Sequence, residues 1–552
     1  MKDGKDTGSH HFFAWEVPGS IGAGNPPRQT SGPPRRMQNI DAHSKETRKI
    51  APLTLLFILG SLLACLYFLV IFLVPRFTVY LPTPTNPSVL APAQLLDPAL
   101  WQAYASELPA AYALLLALTF LAIACLYLFI VARLYRLSKT VSFSKLWLLL
   151  PLSGAVVFGG ILLFLPVFLS PDVLAYISVS QGHTTSYQYL LSYATPYNSA
   201  PYGPLWLAPL SLFATISSQN PALLPVIFRV AGLVIHLVNT LLIWHMLGKL
   251  APERRLAGTL LYAWNPLVLL ELAGNGHIDM LVICLLLLAV ALYLQQKGPR
   301  TEISAIILLG IAASLNMLVF LLVPPFLWFI ERKERKLSSA AWGFCWRFVV
   351  LLAVVALFYL PVWQGSSTYL ALISSFDMNH FQHSPLGSLV IPLRWLYTTL
   401  TSGLPYPPSL LNPIFAADAT ILSTSIFLFI LLYFRVLGRV RDTSFSLFPA
   451  LDTLFACLSI VLVGFTLLAA SDFWPWYMLW LPCFAALRRF DRLSICLLLL
   501  SCATLLYYPF LYLDGTAIAV FLPLCIFATP VVYILVQRLR ASGKLERKNQ
   551  FS

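Results

Sequence analysis

Long apolar runs separated by short basic clusters set the pattern of this chain. The runs begin at Ala51 and recur to the C-terminal region, most of them about 18 to 25 residues long, enough to cross a bilayer as one helix. Between them stand Arg133/Arg136/Lys139, Arg254/Arg255, Arg332/Lys333/Arg335/Lys336, Arg435/Arg439/Arg441, Arg488/Arg489/Arg492 and Arg538/Arg540. Basic residues gather at the cytoplasmic ends of membrane helices, so these clusters orient the runs. The N-terminus then starts inside, and residues of roughly 51–75, 146–169 and 256–273 lead outward while roughly 109–132 and 223–247 lead inward. Two stretches break the alternation. Residues Gly203–Ile216 are expected as a juxtamembrane or re-entrant helix, and about 303–330, with Asn316 and Pro324-Pro325, as two short helices. Exterior loops are expected over 364–385, at 471–476 and near Asp514. The pattern predicts an all-α polytopic bundle of roughly 12–14 spans with both termini cytoplasmic.

Composition agrees with that class. Of 552 residues 59% are hydrophobic and only 11% charged, against about 25% charged in an ordinary soluble domain. The net charge of +14 sits in the clusters that flank the runs, so it reads as membrane topology and not as a nucleic-acid surface. The nine cysteines lie mostly within apolar segments without metal-type spacing, as small core residues do. Residues 1–50, rich in Gly, Pro and Ser, read as a disordered cytoplasmic tail, 51–541 as one transmembrane domain, and 542–552 as a short basic tail. The first run follows Lys45, Arg48 and Lys49 and has no small-residue cleavage site, so it is expected to be a signal anchor.

Three constellations interrupt the apolar background. The first lies in Ser170–Pro209: Asp172, Tyr176, then Pro196-Tyr197 and Tyr202-Gly203-Pro204. A carboxylate just beyond an apolar run, beside a loop rich in Tyr, Ser, Thr and Asn, suits chemistry on a polar substrate, although a solvated exterior loop has the same composition. The second, Trp264–Met280, places Asn265, Glu271, Asn275, His277 and Asp279 in an apolar run. In a continued helix Glu271, Asn275 and Asp279 would share one face, and acids at membrane depth are costly unless they serve a site. The bland reading is a polar cap on a helix end. The third, Ser471–Trp480, brings Asp472, Trp476 and Tyr477 to an exterior lip, as interface anchors or as the wall of a groove for a lipid-linked sugar.

In order and spacing these motifs resemble the GT-C superfamily of polytopic glycosyltransferases, and within it the bacterial polyprenol-phosphate-mannose-dependent mannosyltransferases related to the α-1,6-mannosyltransferases of actinobacterial lipoglycan synthesis. The resemblance rests on Asp172-Val173 with Tyr176, Pro196-Tyr197 and Tyr202-Gly203-Pro204-Leu205-Trp206; on Asn265-Pro266 to Glu271 with Gly274-Asn275-Gly276-His277-Ile278-Asp279; and on Pro475-Trp476-Tyr477-Met478-Leu479-Trp480. It covers roughly residues 145–490. Thr195 stands where the family often has Asn before Pro-Tyr, Ile278 where it has Asn, and Asn316 where a basic residue is common.

The resemblance implies GT-C-like exterior loops and an inverting transfer of a sugar, mannose above all, from a polyprenyl-phosphate donor to a glycan or glycolipid acceptor on the exterior face. Asp172 would be the base that takes the acceptor proton. His277, Arg229 and Arg394 are candidates for the leaving phosphate, with Glu271 or Asp279 orienting His277 or binding the acceptor. Tyr176, Tyr197, Tyr202, Asn275, Trp476 and Tyr477 complete the expected substrate-binding set. A divalent metal shared with Asp172 stays open, because related enzymes differ on this point. No nucleotide-binding signature is found. The alternatives are a transporter or flippase of a lipid-linked sugar, which inverted repeats would favour though none is seen, and a ligase or polymerase of cell-wall glycan.

Overall fold

The computed structural model describes residues 35–74, 110–138, 144–165, 203–216, 223–277, 279–295, 297–334, 336–363, 365–366, 384–401, 413–443, 446–470, 473–511 and 517–550. The chain separates into two compact units, Met1–Phe57 and Ile58–Ser552. Helix α1 (Arg35–Leu73) starts within the stretch expected as a tail. It is followed by α2 (Ala110–Ser138), α3 (Leu149–Leu162), a turn at Pro204–Trp206 with α4 (Leu207–Ile216), and α5 (Leu223–Leu250). Next come α6 (Arg255–Ala263), α7 (Pro266–Leu269), α8 (Asp279–Tyr293), α9 (Pro299–Leu315), α10 (Val319–Glu331) and α11 (Leu337–Tyr359). The last are α12 (Gly387–Thr401), α13 (Pro413–Arg441), α14 (Leu447–Leu468), α15 (Trp480–Leu487), α16 (Arg492–Ala503), α17 (Tyr507–Leu511) and α18 (Ala517–Gln550). Among the described residues every regular element is a helix, as the apolar pattern predicts.

Among the described residues nine helices are long and apolar enough to cross a membrane, or ten if the bent pair Pro252–Ala263 and Pro266–Gly274 is one span. Shorter apolar helices form at Pro204–Phe213, Asp279–Tyr293, Val319–Glu331 and Pro475–Leu487. Residues 303–330 do break into two helices, and the break is Asn316, which adopts extended backbone between α9 and α10.

The bent pair runs through the middle of the bundle. Every residue from Leu256 to His277 is buried, whereas α11 and α13 present Leu, Val and Phe side chains outward, as helices in contact with lipid tails do. The bend follows from Asn265-Pro266. Pro266 has no N–H to continue the ladder, and the Asn265 side chain caps the next turn by accepting from Val268 N at 3.1 Å. The carbonyls released at the break find other donors: Tyr127 Oη donates to Leu261 O at 2.5 Å and His236 Nε2 lies 3.0 Å from Ala263 O. A bent helix is tolerated at membrane depth when protein groups resatisfy its backbone in this way.

The basic clusters at Arg254 and at Arg488/Arg489 meet at one end. Arg254 donates to Arg488 O at 2.6 Å, and Arg254 and Arg489 both lie over the Phe448 ring, at 5.3 and 5.8 Å. From that end the chain rises to the second constellation through the bent pair, about 25 Å at 1.5 Å per residue, and to the third through Pro475–Leu487, about 20 Å.

Candidate active site

The second constellation forms one knot of side chains, but not on a continuous helix. After α7 the chain widens into a π-helical turn, Leu270–Gly274, with Asn275 N donating to Leu270 O at 2.8 Å and His277 N to Glu271 O at 2.9 Å. Single π turns recur at functional sites because they re-aim side chains. Gly276 then takes φ of +74°, a left-handed value that costs other residues roughly 1 kcal/mol or more, and α8 starts afresh at Asp279. The expected shared face over i, i+4 and i+8 therefore survives only for Glu271 and Asn275. The turn at Gly276 brings His277 and Asp279 back to them instead.

In the knot Glu271 accepts from Asn275 Nδ2 at 2.9 Å and from the Tyr508 hydroxyl. His277 Nε2 lies 3.4 Å from Glu271 Oε2, and its Nδ1 lies 3.9 Å from Asp279 Oδ2. Asp279 Oδ1 accepts from Asn316 Nδ2 at 3.0 Å. All are buried, yet neither ring nitrogen of His277 nor Asp279 Oδ2 has a hydrogen-bond partner among the described residues. Buried polar atoms are nearly always paired, so unpaired ones gathered in one place mark a site that takes up a ligand or moves a proton.

The third constellation joins this knot from the side. The His277 ring stacks on Trp476 at 4.4 Å and 28°, Trp476 stacks on Trp474 at 4.8 Å and 13°, and Tyr477 meets Trp476 edge-on at 6.3 Å. Trp476 and Tyr477, the aromatic cluster expected beside Asp472, are buried, and Trp476 packs flat on the His277 ring.

Arg229, on α5, has its backbone N 3.3 Å from where a Cβ on Gly276 would stand. Its guanidinium donates to Leu163 O at 3.2 Å and Leu165 O at 2.5 Å, the carbonyls just past α3. Arg394, on α12, pairs with Asp418 of α13 at 2.6 Å. Asp172, Tyr176, Tyr197, Tyr202 and Asp472 lie outside the described residues. The flanks of the segment 166–202, which carries the first four, are described. Leu165 lies 3.5 Å from where a Cβ on Gly274 would stand. On the far side Gly203 N donates to Leu315 O at 2.8 Å, one residue from Asn316. The two flanking residues thus each contact a residue that adjoins the knot, Gly274 beside Asn275 and Leu315 beside Asn316.

Among the described residues no three His, Cys, Asp or Glu side chains are grouped as a metal ion would need. Sequence reasoning passed over Tyr508, whose signal is a Tyr-Tyr-Pro triplet at the end of an apolar run. Asn316 stood out only as a missing cation, whereas it is the partner of Asp279.

Residues 194–332, about a quarter of the chain, match the family described as Alpha-(1->6)-mannopyranosyltransferase, N-terminal domain. The match takes in Glu271, Asn275, His277, Asp279, Arg229 and Asn316 and stops short of Asp172 and Trp476. No curated protein and no solved structure matches the chain. Together with the apolar helices, the family match supports a membrane glycosyltransferase that transfers mannosyl groups, a GT-C-like mannosyltransferase.

Proposed function

We propose that the protein moves mannose from a polyprenyl-phosphate donor to a hydroxyl of a glycan or glycolipid acceptor, at the exterior end of the bundle and with inversion at the anomeric carbon. The acceptor oxygen bonds to C1 as the bond from C1 to the phosphate oxygen breaks. The electron pair leaves with the polyprenyl phosphate, and the acceptor proton passes to the carboxylate of Asp172. His277, held by the Trp476 ring between Glu271 and Asp279, is oriented to donate to the leaving phosphate from a ring nitrogen. Tyr202, next to Gly203, and Tyr176 and Tyr197 on the same segment bind the sugars. Arg229 acts by positioning: it ties the carbonyls at the start of that segment to α5. Arg394, paired with Asp418, is the second cation available to a phosphate.

One observation carries this reading. The residues that flank the segment with Asp172 are Leu165, which packs on Gly274, and Gly203, whose N donates to Leu315 O, and Gly274 and Leu315 each adjoin a residue of the knot that holds the imidazole. The test is transfer from radiolabelled polyprenyl-phosphate mannose to a mannoside by the purified full chain in nanodiscs. Asp172→Asn should cut the rate roughly 100- to 10,000-fold, the usual contribution of a general base, with donor binding unchanged. Wild-type turnover by the variant would remove the base assignment. Donor carried across the membrane without transfer would replace the enzyme by a transporter.

A further inference from the structure

A polar cavity of about 670 Å³ opens between the last turns of α13 and the first turns of α14. Arg435, Gly438, Arg439, Asp442 and Thr443 line one side, and Pro449 and Thr453 the other. Arg435 and Arg439 are one helical turn apart and both exposed. Neither makes a hydrogen bond or ion pair with a described residue. Neighbouring arginines are engaged: Arg441 lies over Trp328 at 5.8 Å, and Arg488 donates to Asp491 at 3.0 Å. Two exposed guanidiniums that face a cavity, with no hydrogen bond or ion pair to a described residue, form a fork suited to a phosphodiester.

The surface above them says what carries that phosphate. Leu428 and Leu431 continue the Arg435–Arg439 row up α13, and Phe427, Ile430 and Phe434 flank it, all exposed on a helix apolar enough to span. An anion with acyl chains matches both halves of this surface, whereas a free anion matches only the lower one. The remaining groups refine the headgroup. Thr443 and Thr453 donate their hydroxyl protons to Val440 O and Pro449 O at 2.8 and 3.1 Å, so their oxygens face the cavity as acceptors. With the carboxylate of Asp442 they suit a headgroup that donates hydroxyls and repel one that carries a carboxylate.

We propose that this cavity binds an anionic glycerophospholipid with a hydroxyl-bearing headgroup, its phosphate on Arg435 and Arg439, its hydroxyls on Asp442, Thr443 and Thr453, and its acyl chains along Leu428 and Leu431. The site shares no residue with the His277 knot and does not depend on the proposed reaction. Native mass spectrometry of the full chain, after exchange into phosphatidylglycerol, phosphatidylserine or phosphatidylcholine, reads the lipid retained. Phosphatidylglycerol should be retained over both others. Arg435→Gln and Arg439→Gln should each weaken retention by roughly tenfold, the loss of one charge-assisted contact. Asp442→Asn, which leaves both arginines in place, should raise phosphatidylserine towards phosphatidylglycerol. Equal retention of phosphatidylcholine, or no change in the arginine variants, overturns the proposal. So does displacement of phosphatidylglycerol by inorganic phosphate at comparable concentration, because the site would then serve a soluble anion.

Discussion

Gly203→Ala tests whether the return of the segment 166–202 to the knot matters. A Cβ at this position would stand 2.6 Å from Ser314 C and 3.4 Å from Ser314 Cα, and closer still to Ser314 O. Carbon atoms rest at about 3.5 Å or more, so the loop must withdraw by roughly 1 Å. The obstacle is backbone, with no flexible side chain to swing aside. Withdrawal breaks the 2.8 Å bond from Gly203 N to Leu315 O, worth about 1 kcal/mol, and adds overpacking of about 1–3 kcal/mol. A loss of about 2–4 kcal/mol in local stability follows. Displacing substrate-binding groups by about 1 Å costs on the order of 100-fold in rate. Initial rates of mannosyl transfer, read beside thermal unfolding in the same nanodiscs, measure both. Gly160→Ala is the control: nothing lies within 4 Å of its added methyl, and in the helical turn of α3 alanine stabilises by up to about 1 kcal/mol. If Gly203→Ala keeps the wild-type rate and melting temperature while Gly160→Ala does too, the close approach of Gly203 to Ser314 plays no part and the argument fails.

Two further substitutions probe the knot. Gly276→Ala forces a side chain onto φ of +74° and sets its Cβ 3.1 Å from Phe228 Cβ; the strain of about 1–2 kcal/mol should lower the melting temperature and the transfer rate together, and an unchanged rate would show that the turn does not place His277. Tyr508→Phe removes a donor from the buried Glu271 and should destabilise by about 1–3 kcal/mol; in a double-mutant cycle with Glu271→Gln the two losses should fail to add by about 1 kcal/mol, and strict additivity would show that the contact carries no energy.

Much of this arrangement is legible along the chain because period and charge are local properties. The runs and basic clusters predict a polytopic helical bundle, and Asn265-Pro266 marks the bend, since a cap followed by proline acts within one turn. What escapes is set across the bundle. Glu271, Asn275 and Asp279 look like one helical face, and only the backbone at Gly276 shows the face broken and refolded. Trp476 looks like an interface anchor because aromatic residues favour that layer, but the short climb from Arg488 to Pro475 leaves it inside the protein. Tyr508 stands more than two hundred residues from Glu271, a separation at which no spacing rule speaks. Asn316 shows the same limit from the other side: a position read as a lost cation is a hydrogen-bond donor whose partner lies 37 residues away.

The depth of the knot bears on the kind of donor it suits. From the basic end it lies about 20 to 25 Å along the helices, against a hydrocarbon core of about 30 Å. A water-soluble sugar nucleotide would have to bring its charged diphosphate several ångströms below the headgroups. The proposed polyprenyl-phosphate donor reaches that level from the lipid side, with its isoprenoid chain in the bilayer and only its phosphate and sugar crossing into protein. At this depth an unpaired phosphate costs several kcal/mol, so donors prearranged for it are needed, and in the proposed reaction the N–H of the His277 ring, whose nitrogens have no hydrogen-bond partner among the described residues, is such a donor. In the proposed reaction the acceptor comes from the opposite direction; the described flanks of the segment 166–202, Leu165 and Gly203, meet Gly274 and Leu315. Under that proposal the base, Asp172, belongs to this segment and the imidazole serves the leaving phosphate. Inversion demands attack and departure on opposite faces of the anomeric carbon, and the proposal accordingly assigns the base and the phosphate contact to separate parts of the chain.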